Sequence, residues 1–240
     1  GRRARIADAQ SSQARLYSAS SSSSVASAST FSASHSRTAS LIARRYSAPD
    51  VARASACWRG WLAQKQQDQF SATVLETVIS GRHPHLNRWS WESADDRALA
   101  LASLAAVGMT DFAARDVLTL SGGERQRVAV ATILTQNPTL YFMDEPLAHL
   151  DLNHQIEVLN LLSAKAKRER VSAIMVLHEP GLAHRYCDSA LLLFGEGEWL
   201  YGSASAVLTA DNLSRLYGYP LLQIENPGAD GQVQRWFVPA

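Results

Sequence analysis

The stretch LSGGERQRV, residues 120–128, carries the signals of a helix start. Ser121 is a favourable N-cap residue, and Glu124 lies in the first turn, where the helix dipole favours a carboxylate. Gly122 and Gly123 let the backbone approach another group closely, and the free N–H groups of a helix start favour an anion. The stretch predicts a helix whose first turn can face a ligand.

A short apolar run follows this helix. The helix is predicted to end at Asn137-Pro138, and TLYFM at 139–143 favours a buried strand. That strand delivers Asp144 and Glu145 to its C-terminal end, which is the usual place for a ligand site in an open α/β sheet. Each fragment alone has an ordinary explanation, because Ser-Gly-Gly is often only a helix cap and paired carboxylates are common after strands.

The order of the fragments is more specific than any one of them. LSGGERQRV, then a strand ending in Asp144-Glu145-Pro146, then His149-Leu150-Asp151 resembles the signature motif, Walker B motif and D-loop of ABC transporter ATP-binding subunits. The resemblance implies an α/β fold, a P-loop NTPase-like ABC ATPase domain with a helical subdomain. It also implies ATP and Mg²⁺ as ligands, with ATP held between two such subunits.

Four residues receive catalytic or metal-binding roles from this resemblance. Glu145 would act as the general base on the attacking water, and Asp144 would hold Mg²⁺. Gln64 follows a predicted strand end and matches the Q-loop glutamine, which contacts the magnesium or the water. His178 follows a predicted strand at 171–177 and matches the switch histidine that senses the γ-phosphate.

The remaining site residues belong to the signature motif and the D-loop. The resemblance implies that three signature residues hold the γ-phosphate of ATP seated on the partner subunit; they are Ser121, Gly122 and Gly123. Asp151 matches the D-loop aspartate, while His149 replaces a residue that is usually small. Asp151 and Asn153 are also candidate caps for a helix predicted from Gln155 to about Lys167, and capping is compatible with the D-loop role.

Residues 1–57 differ in composition from the rest of the chain. Serine is very frequent, with an unbroken run at 20–24, and the only acidic residues are Asp8 and Asp50. Such a segment buries too little apolar surface to offset its ordering entropy, so disorder is expected. The Walker A motif GxxxxGK[ST], whose backbone amides and lysine hold phosphates, occurs nowhere in the 240 residues.

Three explanations of this segment stay open. It is a wrong-frame translation of a coding sequence, an organellar targeting peptide rich in Arg and Ser, or the start of a degenerate subunit that has lost Walker A. The resemblance covers residues 58–220, with an incomplete N-terminal part, a helical subdomain at about 71–118 and a C-terminal tail at 221–240.

Within the helical subdomain the local signals are clear. Thr73 and Glu76 form a predicted capping box, and a second helix is predicted from about Asp95 to Val107. GRHPHL at 81–86 resembles importers for iron–siderophore, haem and cobalamin. Its two histidines have no carboxylate or cysteine cluster beside them, so a metal site is not favoured.

Composition narrows the class of partner. The net charge of +1 and 19% charged residues give no sign of nucleic-acid binding. Cys57 and Cys187 lack metal spacing, which is typical of a reducing compartment. No apolar run approaches the length of a membrane span. We therefore expect a peripheral protein on the cytoplasmic face of the bacterial inner membrane, with transmembrane permease subunits and a second, identical ATPase subunit as partners.

Three functional readings follow. The leading one is the ATP-hydrolysing subunit of an importer, most similar to metal-chelate or cobalamin uptake. The second is a non-transport relative. It is disfavoured because chromosome-maintenance ATPases insert a long coiled coil between the Q-loop and the signature motif, which lie at Gln64 and Leu120 here, and because translation factors carry two such domains. The third is an inactive, truncated or degenerate fragment without its own P-loop.

Overall fold

The computed structural model describes residues 25–28, 55–64, 70–87, 90–227 and 233–240. A mixed sheet of six strands forms the centre, in the spatial order β2-β3-β4-β1-β5-β6. Its strands are β1 (Val25–Ala28), β2 (Arg59–Leu62), β3 (Leu140–Asp144), β4 (Ser172–Leu177), β5 (Ser189–Gly195) and β6 (Glu198–Ser203). A separate hairpin is formed by β7 (Leu221–Pro227) and β8 (Val233–Pro239).

Seven helices can be bounded within the described residues, residues 55–58 are also helical, and three short 3-10 turns are present. The helices are α1 (Val74–Ile79), α2 (Ala94–Ala106), α3 (Gly122–Gln136), α4 (Leu152–Glu169), α5 (Pro180–Tyr186), α6 (Ala204–Val207) and α7 (Ala210–Tyr217). The 3-10 turns are Ser80–His85, Thr110–Phe112 and Val117–Thr119. In the described part of the chain, none of the helices is both long enough and apolar enough to cross a membrane.

Strands β2, β3 and β4 are parallel neighbours, and β5 and β6 form an antiparallel hairpin. Strand β1 lies between β4 and β5 and is antiparallel to both. Disorder was expected throughout residues 1–57, and that expectation stays a prediction. The rest of residues 1–54 lies outside the described residues.

Capping chemistry sets the helix starts. The predicted Thr73–Glu76 box is present, with the Thr73 amide donating to Glu76 Oε2 at 2.7 Å. Ser121 is the N-cap of α3, as predicted, and forms a reciprocal box with Glu124; α3 ends where Asn137 adopts a left-handed conformation with φ of 52°. Both observations confirm the helix limits expected from the sequence.

Helix α4 differs from its prediction. It begins at Leu152, three residues before the expected Gln155, because the Asp151 carboxylate accepts the His154 amide at 2.9 Å and caps an earlier turn. Asn153 therefore lies inside the helix, where its side chain donates to Glu157, and does not cap it. An aspartate cap satisfies one of the unpaired amides of a helix start, which explains the early beginning.

The core lies between the sheet and the helices. Alternate residues of β3 and β4 are buried, among them Tyr141 and Met143 with 1% and 2% of their surface exposed. Helices α1 and α2 pack on α3, and this packing is tied by an ion pair between Arg82 Nε and Asp96 Oδ1 at 2.7 Å. Helix α3, which starts with the Ser121 box, also packs on strand β2.

Candidate active site at the strand ends

The carboxyl ends of three parallel strands bring three predicted residues together. Strand β3 pairs with β2 on one side and β4 on the other, so the residues that follow these strands meet at one edge of the sheet. Gln64 follows β2, Glu145 follows β3 and His178 follows β4. Asp144 is the last residue of β3 and lies opposite Val176 of β4.

Glu145 is the centre of this cluster. Gln64 donates from Nε2 to Glu145 Oε1 at 2.7 Å. His178 Nε2 lies 2.8 Å from the same oxygen. The Glu145 side chain keeps 22% of its surface exposed and His178 keeps 45%. The cluster is therefore open to water and small ligands while its hydrogen bonds are already formed.

The surroundings of Glu145 favour its ionised form. Burial raises the pKa of the Glu145 carboxyl, but the hydrogen bonds from His178 and Gln64 outweigh this effect, and the pKa is lowered overall. At neutral pH the carboxylate is charged and able to accept a proton. A carboxylate that is ionised, partly exposed and held by two partners has the properties of a general base.

The start of α3 forms a second site near the first. Ser121 Oγ accepts the Glu124 amide at 3.4 Å, and the Ser121 amide donates to Glu124 at 2.6 Å. A Cβ atom on Gly123 would lie 2.8 Å from the His149 carbonyl oxygen, so only glycine permits this approach. Ser121 and Gly122 are exposed. The helix start thus presents its first turn to the outside.

The two sites are joined by the loop at 146–150. Asp151 follows that loop. Its carboxylate accepts the backbone amide of His154 and lies 2.8 Å from His154 Nδ1. These hydrogen bonds, with the backbone amide contact largest, lower the pKa of the Asp151 carboxyl. Asp151 is therefore used as the cap of α4 and does not belong to the Glu145 cluster.

Comparison with known proteins agrees with this geometry. The sequence profile described as ABC transporter matches residues 34–148. The hemin import ATP-binding protein of Burkholderia ambifaria is 35% identical over 184 residues, which cover 72% of this chain and 67% of that protein. The ferric enterobactin transport ATP-binding protein of Escherichia coli K12 is 36% identical over 188 residues, which cover 78% of this chain and 67% of that protein.

The chain belongs to the ABC transporter family of ATP-binding subunits. A solved inward-facing metal-chelate type ABC transporter has a similar fold, with a TM-score of 0.68 and 28% identity over 76% of this chain and 72% of that one. The fold class expected from the sequence is thereby confirmed, and so is the enzyme class of the family, ATPases coupled to transport. The chain spans about two thirds of the length of the two curated relatives above.

The described residues fit part of an ABC ATPase site. Mg²⁺ is commonly held by one or two carboxylates together with substrate phosphates, so Asp144 and the amide oxygen of Gln64 are a suitable donor set. Among the described residues no group of three or more His, Cys, Asp or Glu side chains forms a metal cluster, and such a magnesium site does not need one. The sequence contains no Walker A motif, so the phosphate-binding loop is the part that residues 1–240 do not fit.

Sequence reasoning missed one residue of this region, Gln126. It lies on α3 with only 7% of its surface exposed, and its side chain donates to the carbonyls of Glu145 and Pro146 at 3.2 Å and 3.0 Å. A signal was present, because Gln126 precedes the fully buried Val130 by one helical turn. A glutamine on the apolar side of a helix is costly to bury unless its amide is bonded.

Proposed function

We propose that this chain is the ATP-hydrolysing subunit of a bacterial importer for metal chelates such as haem, siderophores or cobalamin. The observation that carries the proposal is the Glu145 carboxylate, held by Gln64 at 2.7 Å and His178 at 2.8 Å at the carboxyl edge of the parallel strands. The hemin and enterobactin relatives supply the class of cargo.

In the proposed reaction Glu145 accepts a proton from the water that attacks the γ-phosphate. Its lowered pKa keeps it ionised at neutral pH, and its partial exposure leaves room for that water. Gln64 and His178 fix the direction of the carboxylate, which saves reorganisation in the transition state. Mg²⁺, when bound through Asp144 and Gln64, supplies neutralisation of phosphate charge.

A second copy of the chain completes the proposed site. The exposed first turn of α3 carries backbone amides and a serine hydroxyl, which suit the γ-phosphate of ATP seated on the partner. Ser121, Gly122 and Gly123 supply these groups. Asp151 holds the loop behind them by capping α4. A homodimer places each α3 start opposite the nucleotide of the other subunit.

Permease subunits are the proposed membrane partners, and two exposed aromatic residues support this. Phe70 and Trp91 have 80% and 89% of their surface exposed, on either side of the turn at Ser80–His85. Exposed aromatic side chains of this size are typical anchors of protein interfaces. The subunit would accordingly lie on the cytoplasmic face of the membrane. Replacing both aromatic residues by serine should weaken co-purification with the permease while leaving hydrolysis by the isolated subunit unchanged.

The proposed reaction is tested by ATP binding and hydrolysis of the purified chain. The wild type should bind and hydrolyse MgATP, and Glu145→Gln should bind it with hydrolysis reduced at least about 100-fold. Glu157→Gln is the matched control, because Glu157 is exposed on α4 and its side chain accepts a hydrogen bond from Asn153. Equal rates in the two variants would remove Glu145 as the base.

The absence of GxxxxGK[ST] from the sequence favours a second candidate, an inactive ABC ATPase fragment without its own P-loop. The same binding measurement separates the two candidates. A wild-type chain that is folded and yet has no affinity for MgATP supports the inactive fragment and rejects the hydrolytic one.

A further inference from the structure

We infer that Gln126 is a positioning residue that clamps the backbone of Glu145 and so aims its carboxylate at Gln64 and His178. The inference deepens the proposed function, and it rests on that proposal for the role of Glu145 as the base. Its support comes from backbone conformation, hydrogen bonding and burial around one loop.

The backbone of Glu145 is in a conformation that non-glycine residues seldom adopt. Its φ is +50°, in the left-handed region. A side chain there is disfavoured by about 1 to 2 kcal/mol, and such a conformation persists only where surrounding contacts hold it. The unusual conformation lies directly after Asp144, where β3 ends and the chain turns.

The contacts that hold this turn come chiefly from Gln126. Its Nε2 group donates to the Glu145 carbonyl at 3.2 Å and to the Pro146 carbonyl at 3.0 Å. The Ala148 amide adds a turn hydrogen bond to the Glu145 carbonyl at 3.1 Å. Gln126 and Pro146 are both buried, so water does not replace these bonds readily.

The clamp also has a mechanical consequence. Gln126 lies on α3, the helix that begins with Ser121, so the helix start and Glu145 are connected by one side chain. A displacement of α3 moves the backbone on which the Glu145 carboxylate is mounted. If Gln126 loses its amide, the left-handed turn relaxes and Glu145 leaves its two partners.

The decisive measurement is carbon-13 NMR of the Cα and Cβ atoms of Glu145, whose chemical shifts report its left-handed backbone and are assigned by their loss in Glu145→Gln. In Gln126→Met the volume is kept and the donor is lost, so both shifts should move away from their wild-type values. The control is Gln136→Met, also on α3, which removes two hydrogen bonds to the carbonyls of Ala56 and Arg59, at 2.7 Å and 2.9 Å. It should leave the Glu145 shifts unchanged.

Hydrolysis gives the second readout. Gln126→Met should lower kcat by 10- to 100-fold, since a misplacement of about 1 Å can cost about 100-fold, while KM for MgATP stays within about twofold. A general loss of folding would instead move the NMR signals of residues far from Glu145 as well.

The outcomes separate the two proposals. Unchanged Glu145 shifts in Gln126→Met overturn the positioning role, whether or not the wild type hydrolyses ATP. Changed Glu145 shifts in a chain whose wild type does not hydrolyse ATP sink the proposed function and leave the positioning role standing. Should Gln126→Met fail to fold, Gln126→Leu provides the same test, because its side chain donates no hydrogen bond.

Discussion

Glu145 and Asp96 are both acidic side chains with lowered pKa values, yet their surroundings are built differently. Asp96 accepts the Ser93 amide at 3.0 Å, the Ser93 hydroxyl at 2.8 Å and Arg82 Nε at 2.7 Å. Hydrogen bonds from the Ser93 backbone first, then from Arg82, lower its pKa to about 2. The partners of Glu145 are the neutral amide of Gln64 and the ring of His178, which follow two other strands.

A structural carboxylate and a reactive one can be distinguished by their surroundings. Asp96 is 9% exposed, lies within a helix cap and is paired with the permanent cation of Arg82. Glu145 is more open, has a left-handed backbone conformation and is held by the Gln64 amide and the His178 ring. The direction of the pKa change is the same in both, so access and the nature of the partners distinguish them.

The largest expected effect concerns the partners of Glu145. His178→Ala should lower ATP hydrolysis about 100-fold, because it removes the 2.8 Å contact to the base, and should leave the thermal midpoint nearly unchanged. His83→Ala is the control, since that histidine has 64% of its side chain exposed and pairs with Glu92. Steady-state rates and thermal melts check this, and equal rates in both variants would place His178 outside the reaction.

Breaking the Asp96 pair should act on stability instead. Arg82→Met should lower the free energy of unfolding by about 2 to 3 kcal/mol, because it leaves Asp96 uncompensated inside the subdomain and removes a bond to the Thr135 carbonyl. Arg168→Met, at a side chain 74% exposed beside Glu169, should cost less than about 0.5 kcal/mol. Urea unfolding measures both, and similar losses would count against a buried structural pair.

Acid should weaken the same pair in a defined range. The pKa of Asp96 is about 2 when folded and 3.8 ordinarily, so its contribution is complete above about pH 4 and is lost as pH falls toward 2. The loss should be about 2 kcal/mol. Asp96→Asn should remove this part of the acid dependence. Urea unfolding at several pH values measures it, and parallel curves for wild type and variant would refute the assignment.

The smallest effect concerns two helix caps of the same type. Ser93→Ala and Ser121→Ala should each cost about 1 kcal/mol of stability, because both serines cap a helix in a reciprocal box. Only Ser121→Ala should also lower ATP hydrolysis, since its hydroxyl lies on the exposed start of α3. Loss of ATP hydrolysis in fully folded Ser93→Ala would contradict this distinction.

Many of the helix limits could be predicted from local sequence signals. The Thr73 box, the Ser121 cap and the end of α3 at Asn137 follow from residue chemistry within a few positions. The gathering of Gln64, Glu145 and His178 at one sheet edge followed from the family resemblance, and the structure brings them together. Their roles in the reaction stay proposals.

Contacts between distant residues could not be predicted. The ion pair of Arg82 and Asp96 joins a 3-10 turn to a helix, and the bond from Gln126 to Pro146 joins a helix to a loop. Neither pairing has a periodic sequence signal. The pairing of β1 with β4 and β5 is a further case, because β1 lies far from both in the sequence. The predicted start of α4 was wrong because two residues, Asp151 and Asn153, were both suitable caps.

The most direct test compares two isosteric variants, Glu145→Gln and Asp96→Asn, in one experiment that records ATP hydrolysis and urea unfolding of each. Glu145→Gln should lose hydrolysis at least about 100-fold with the free energy of unfolding unchanged within about 0.5 kcal/mol. Asp96→Asn should lose about 2 kcal/mol of stability and keep nearly full hydrolysis where it is folded. Full hydrolysis in Glu145→Gln would contradict the assignment of that carboxylate as the reactive one.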